Sequence, residues 1–211
     1  MDFSKEGIHC IYGPSGSGKT TLLNSLVGLT SYEKGEFVGF RENSFSYIFQ
    51  EERLLPWATV EENIRFVLES LEDKDEINKR IDKYLSIVGL QKFKKSYPQE
   101  LSGGMKQRVS IARAFAYEGD ILIMDEPFKG LHIELKRSLM NYIIDYWKEK
   151  KGVFILVTHD IEEVLYMADY IHIFQGPPLT LTEEITIEIP QFERERNSNS
   201  IMKYRDILSR I

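Results

Sequence analysis

A single cysteine among 211 residues excludes an internal disulfide, so packing alone must hold the fold, as suits a reducing compartment. Cys10 lies in an apolar run just ahead of a glycine-rich loop and reads as a buried packing residue. Positive charge is not in excess either. The 27 Lys and Arg against 33 Asp and Glu give a net charge of −6, and the pI is near 5.4. A nucleic-acid-binding face needs clustered Lys and Arg, so no nucleic-acid partner is expected. Long hydrophobic runs are missing: the stretches 121–124 and 153–157 are strand-sized, far too short to cross a bilayer. The opening Met1-Asp2-Phe3-Ser4-Lys5-Glu6 has no apolar core of signal-peptide length. A soluble chain is expected, acting at any membrane only through a partner. Four histidines and one cysteine show no metal-ligand spacing; His9 and His172 read as structural.

At 42% hydrophobic, the chain suits one globular domain over residues 1–211. Short apolar runs at 8–12, 121–124 and 153–157, with helical patterns between them, predict parallel strands covered on both faces. Leu135, Leu139, Tyr142, Ile143 and Tyr146 recur at helical spacing, and Asp160 with Glu163 predicts a capping box before 164–168. Thr59 and Glu62 predict another, opening a helix through about Leu71. Ile77, Ile81, Tyr84, Leu85 and Val88 mark a second helix, closed by Gly89. With no strand from about 56 to 97, that stretch reads as a helical subdomain inserted in an α/β core. The tail, 176–211, reads as a strand over 179–189 stopped by Pro190. A short helix carrying Ile201, Tyr204, Leu208 and Ile211 follows.

Three motifs carry chemistry. Gly13-Pro14-Ser15-Gly16-Ser17-Gly18-Lys19-Thr20, followed by Thr21, fits G-x-x-x-x-G-K-[ST] between a strand and a helix. Its glycines let backbone N–H groups converge on phosphate oxygens. The helix N-terminus adds positive dipole, Lys19 reaches the β- and γ-phosphates, and the Thr20 hydroxyl can hold Mg²⁺. Ile121-Leu122-Ile123-Met124-Asp125-Glu126 is a buried strand ending in two carboxylates. Downstream of a phosphate loop, such a pair serves a metal ion and a water molecule. Leu101-Ser102-Gly103-Gly104-Met105-Lys106-Gln107-Arg108 supplies a second anion-facing helix start.

With these three in order, the sequence resembles the ATP-binding-cassette (ABC) ATPases, whose signature LSGGxxQR it carries intact. The resemblance spans roughly 7–175. It implies a P-loop NTPase core with a reduced antiparallel β-portion and a helical subdomain, ATP and Mg²⁺ as ligands, and hydrolysis of ATP. It further implies that Gln50, closing Ser46-Tyr47-Ile48-Phe49-Gln50, senses Mg²⁺ and the attacking water. His159, in Thr158-His159-Asp160, would contact the γ-phosphate and Glu126 would activate water. Thr20, Gln50 and Asp125 would organise the metal, while Ser102, Gly103 and Gly104 close over ATP held by another subunit. A head-to-tail homodimer beneath transmembrane permease subunits is expected, at the cytoplasmic face of the membrane, with a separate substrate-binding protein. The segment Phe49-Gln50-Glu51-Glu52-Arg53-Leu54-Leu55-Pro56-Trp57 is similar to that of importers of nitrate, sulfonates, taurine and related compounds, some of which carry vitamin precursors.

Two departures stand out. Family members have an adenine-stacking aromatic residue well upstream of the phosphate loop, whereas only twelve residues precede Gly13 here. Weak ATP binding, with GTP accepted almost as well, is the expected consequence. In the loop after Glu126, Lys129-Gly130-Leu131-His132 puts a histidine where the family has the aspartate that couples the two sites. A soluble ABC ATPase of DNA repair or translation, a P-loop kinase, and a degenerate nucleotide-binding regulatory subunit are the alternative readings.

Overall fold

A computed structural model of the chain describes residues 2–34, 36–38, 43–68, 73–194 and 198–210. Six strands form one sheet: β1 (Gly7–Tyr12), β2 (Phe45–Ile48), β3 (Ile121–Asp125), β4 (Val153–Thr158), β5 (Tyr170–Gln175) and β6 (Thr180–Thr186). Their order is β2-β3-β4-β1-β5-β6. All neighbours run parallel except β5 and β6. Among the described residues, antiparallel pairing is thus confined to one hairpin, in line with the reduced antiparallel portion expected.

Alternation along the central strands divides the core between the two faces of the sheet. Ile8, Cys10, Tyr12, Leu122, Met124, Phe154 and Leu156 face one hydrophobic cluster. Ile11, Ile121, Ile123, Ile155 and Val157 face the other, against Leu23 and Leu26 of α1 (Lys19–Leu26). Every residue of β1 and β3 is buried, which explains why they read as near-continuous apolar runs, broken only by His9 in β1 and closed by Asp125 in β3. The first face carries α2 (Val60–Arg65), α3 (Lys74–Ile87), α4 (Gly103–Tyr117), α5 (Ile133–Lys150) and α6 (Ile161–Met167). Helix α7 (Ser198–Leu208) packs on α6 through buried Ile201, Tyr204 and Leu208; Ile211 lies outside the described residues.

The Thr59–Glu62 capping box is present, but the helix it opens is short. Val67 and Leu68 donate to the carbonyls of Ile64 and Arg65, tightening the last turn and tucking Leu68 into the core. Leu71 lies outside the described residues. The box expected at Asp160 and Glu163 does not form. Asp160 accepts from the Glu162 N–H at 2.8 Å, and the Glu163 carboxylate turns inward to Thr158 and Lys136. Strand β6 spans Thr180–Thr186 rather than 179–189; one further bond in its register, from the Ile187 N–H to Asp169 O at 2.8 Å, follows it, and Ile187 is buried. Strand β5 is absent from the runs singled out in the sequence, since His172 interrupts its apolar pattern and no motif flags it.

Candidate active site

The phosphate loop opens at the end of β1. A Cβ on Gly13 would lie 2.3 Å from the Phe174 carbonyl of β5, so no larger residue fits there. Gly18 has φ 106° and precedes α1 without any side-chain cap. The first N–H groups of α1 are therefore left to an incoming anion. Ser17 and Lys19 are buried, Thr20 and Gly18 are half-buried, and Pro14, Ser15, Gly16 and Thr21 are exposed. Lys19 Nζ donates to Gly13 O at 2.9 Å and Pro14 O at 2.7 Å, holding the loop closed on itself. Burial pushes the Lys19 pKa down, against the pull of Glu126 and Asp125.

Across the loop, β3 delivers Asp125, which is 1% exposed. Its Oδ2 accepts from Thr20 Oγ1 at 2.7 Å. Its Oδ1 is buried and has no hydrogen-bond partner among the described residues. Burial raises the Asp125 pKa, the Thr20 hydrogen bond opposes this, and the charge of Glu126 adds to it. An orphaned carboxylate oxygen beside a hydroxyl suits a hard cation such as Mg²⁺. Among the described residues no group of three His, Cys, Asp or Glu could hold a metal alone, so such an ion would take further oxygens from phosphate and water.

Glu126 adopts φ 47°, an uncommon left-handed conformation for a non-glycine residue. Its N–H is fixed to Val157 O of β4 at 2.9 Å. Its Oε1 stands 3.0 Å from Nδ1 of His159, which follows β4 and is 58% exposed at the side chain. Gln50 is exposed two residues beyond the end of β2, whose last register pair with β3 is Ile48↔Met124.

Ser102 caps α4, accepting from the Met105 N–H at 3.3 Å. Ser102 and Gly103 are exposed, and a Cβ on Gly103 would meet nothing within 4 Å. Gly104 faces the other way, against Gly130 O.

Several supporting residues escaped the sequence reading. Gln107, inside the third motif, donates to Pro127 O at 2.8 Å and so ties α4 to the turn after Glu126. Arg113 of α4 donates to the carbonyls of Glu52 and Arg53, anchoring the segment after Gln50. Lys136 of α5 sits between Asp160 Oδ2 at 2.5 Å and Glu163 Oε1 at 2.6 Å. Glu163 also accepts from Thr158 Oγ1 at 2.5 Å, so both chain neighbours of His159 are braced. Burial works against the Lys136 charge, but its two carboxylate partners hold its pKa above the ordinary lysine value. Apart from Gln107, whose motif position was visible, only pairings distant in sequence reveal these contacts.

Comparison with known proteins places this geometry. Residues 1–129 match the family model described as ABC transporter. The aliphatic sulfonates import ATP-binding protein SsuB of Bacillus cereus is 41% identical over 201 residues, covering 92% of this chain and 79% of that protein. The nitrate import ATP-binding protein NrtD of Synechocystis is 39% identical over 189 residues, covering 86% and 71%. The dimeric post-hydrolysis structure of the ATP-binding cassette MJ0796 bound to ADP and Pi superimposes with a TM-score of 0.80 at 26% identity, covering 90% of this chain and 89% of that one. The P-loop fold and the site thus define an ATP-binding, ATP-hydrolysing cassette. The chain belongs to the ABC transporter family.

Proposed function

We propose that this chain is the ATPase subunit of an importer of small anions of the sulfonate or nitrate class. The supporting observation is the convergence of Thr20 at the start of α1 with Asp125, Glu126 and His159 at the ends of β3 and β4, beside the phosphate loop. The reaction is ATP + H₂O to ADP and phosphate. Lys19 and the backbone N–H groups of Gly13 and of Ser15–Thr21 neutralise phosphate charge. Thr20, Asp125 and Gln50 would hold Mg²⁺, which would supply charge neutralisation at the phosphate oxygens. Glu126 orients a water molecule and accepts its proton, while His159 positions that carboxylate and meets the γ-phosphate. Ser102, Gly103 and Gly104 present an open helix start to the ATP of a second copy, in a head-to-tail homodimer.

The partners proposed are two permease subunits and a separate substrate-binding protein, with this chain on the cytoplasmic face. Among the described residues no helix is long and apolar enough to cross a membrane. A groove of about 390 Å³ runs beside Gln50, lined by Phe49, Arg53, Leu55, Phe66, Arg113 and Tyr117. Trp57 is 74% and Phe66 64% exposed nearby. A short apolar segment of the permease is its proposed occupant, moved by the helical subdomain at 56–97. In that stretch the described residues contain helices and no strand.

Replacing Glu126 with Gln tests the chemical assignment. ATP binding should persist while turnover falls on the order of 10²-fold or more, with a closed dimer accumulating on gel filtration in ATP and Mg²⁺. A fully active variant would remove Glu126 from this role.

A further inference from the structure

The geometry points to the turn between β5 and β6, Gly176-Pro177-Pro178-Leu179, as the wall against which the nucleoside half of ATP rests. The inference rests on reading the phosphate loop as the ATP site, and it starts from the sheet order. Strands β3 and β4 lie on one flank of β1, and β5 and β6 lie on the other. Asp125 ends β3, Glu126 and His159 follow β3 and β4, and Thr20 is bonded toward Asp125. The terminal phosphate therefore belongs on that flank. A linear triphosphate crossing the loop from there must direct its nucleoside toward the β5–β6 side.

That side is occupied at close range. The Phe174 carbonyl excludes any side chain at Gly13, and a Cβ on Gly18 would stand 3.7 Å from Leu179 Cβ. Strand β5 thus borders the start of the loop, and the hairpin tip borders its end at Gly18. Its chemistry is uniform: Gly176, Pro177 and Pro178 are exposed and Leu179 is half-buried, with no charged group among the four. Leu179 packs in part against the cluster that holds Leu23, Leu26 and Phe174, and the rest of its side chain lies open beside Gly18. The tip is also braced, by the Thr180 hydroxyl donating to Pro178 O at 3.0 Å.

A braced apolar ledge offers dispersion contact to a flat heterocycle. It offers little readout of the base edge. Prolines have no N–H, and none of these four side chains can donate or accept a hydrogen bond. Adenine and guanine should therefore rest on it about equally well.

Leu179→Trp would convert the ledge into a stacking platform and place a fluorophore there. The test compares the wild type, Leu179→Trp and the double variant Pro177→Ala/Pro178→Ala. Each is titrated with ATP, GTP and inorganic tripolyphosphate, after circular dichroism shows a native spectrum. Leu179→Trp should tighten ATP and GTP by about tenfold, as base–aromatic stacking does elsewhere. Its affinity for tripolyphosphate should stay unchanged, and only the nucleotides should quench the new tryptophan. The alanine pair should weaken both nucleotides several-fold and spare tripolyphosphate. If Leu179→Trp does not fold, the alanine pair decides alone. An unchanged ratio of nucleotide to tripolyphosphate affinity across the folded proteins overturns the inference and leaves the phosphate-loop assignment standing. A wild type that binds neither ATP nor tripolyphosphate overturns both.

Discussion

Asp125 combines burial, a hydrogen bond on one oxygen and nothing on the other, an arrangement that costs stability unless a ligand offsets it. Replacing Asp125 with Ala should remove most of the Mg²⁺ dependence of nucleotide affinity. The measurement is the ratio of ATP dissociation constants with Mg²⁺ and with EDTA; a ratio equal to wild type would exclude Asp125 from metal binding. Lys136 poses the complementary case. Its loss would leave Glu163, only 6% exposed at the side chain, without its cation. Lys136→Met should cost about 3 kcal/mol of unfolding free energy, the range found when one partner of a buried ion pair is removed. Adding Glu163→Gln should restore part of it, as a double-mutant cycle in urea would show. The residues differ in how visible they are in the sequence. Gly13–Thr20, Asp125–Glu126 and Ser102–Gly104 are contiguous because backbone groups of a single turn must act together. Lys136 and Arg113 act on groups more than twenty positions away, and such pairings leave no local pattern.

Among the elements, the sheet has a second polar junction, built on β1, β5 and β6 away from the loop. His9 and His172 are buried and stack at 5.3 Å between centroids, with Phe3 edge-on to both. His9 Nε2 is 2.8 Å from Lys5 O; a carbonyl only accepts, so this nitrogen carries the proton. Neutral His9 then uses Nδ1 to accept from His172 Nε2 at 3.0 Å, and His172 Nδ1 stands 2.7 Å from Glu184 of β6. Protonated His9 would turn an N–H toward another N–H. Burial accordingly pushes the His9 pKa down to about 4, and the charge of His172 adds to this. In the unfolded chain the pKa is about 6.5, so between those values only the unfolded state takes up the proton. Stability should be level in this term above pH 6.5 and fall toward pH 4, by about 1.4 kcal/mol per unit at most. Urea midpoints of wild type and His9→Leu across pH 7.5 to 4.5 would isolate it; parallel curves would contradict the assignment. Strands β1 and β5 each carry one of these histidines, and β1 was legible despite His9 because the glycine-rich phosphate loop follows it, whereas no such motif flags β5. Strands β3 and β4 were legible because strands covered on both faces need near-continuous apolar runs. Helix α3 was legible because a single buried stripe, Ile77, Ile81, Tyr84 and Leu85, imposes a helical period.

For the whole molecule, the chain on its own brings together only part of the proposed machinery. The Ser102 end of α4 opens to solvent, with Gly103 unobstructed, and Ile133 is 75% exposed just after His132. On the head-to-tail arrangement proposed above, these surfaces meet a second copy, and each ATP lies between the phosphate loop of one chain and the Ser102 helix start of the other. Ser102→Arg adds bulk where the helix must approach phosphate, so it should spare nucleotide binding by the monomer while blocking closure and turnover. Lys19→Ala disables the phosphate loop but leaves its own Ser102 end intact. In a mixed dimer of the two, one site pairs the intact loop of the first variant with the intact helix start of the second. The other site carries both defects. Random mixing in equal amounts makes about half the dimers mixed, each with one working site, so roughly a quarter of wild-type activity should return if the sites act independently. ATPase assays of each variant alone and of the mixture provide the measurement. Normal hydrolysis by Ser102→Arg alone would take the α4 helix start out of the active site. Two inactive variants whose mixture stays inactive would mean that one composite site cannot turn over by itself and that the two sites are obligatorily coupled.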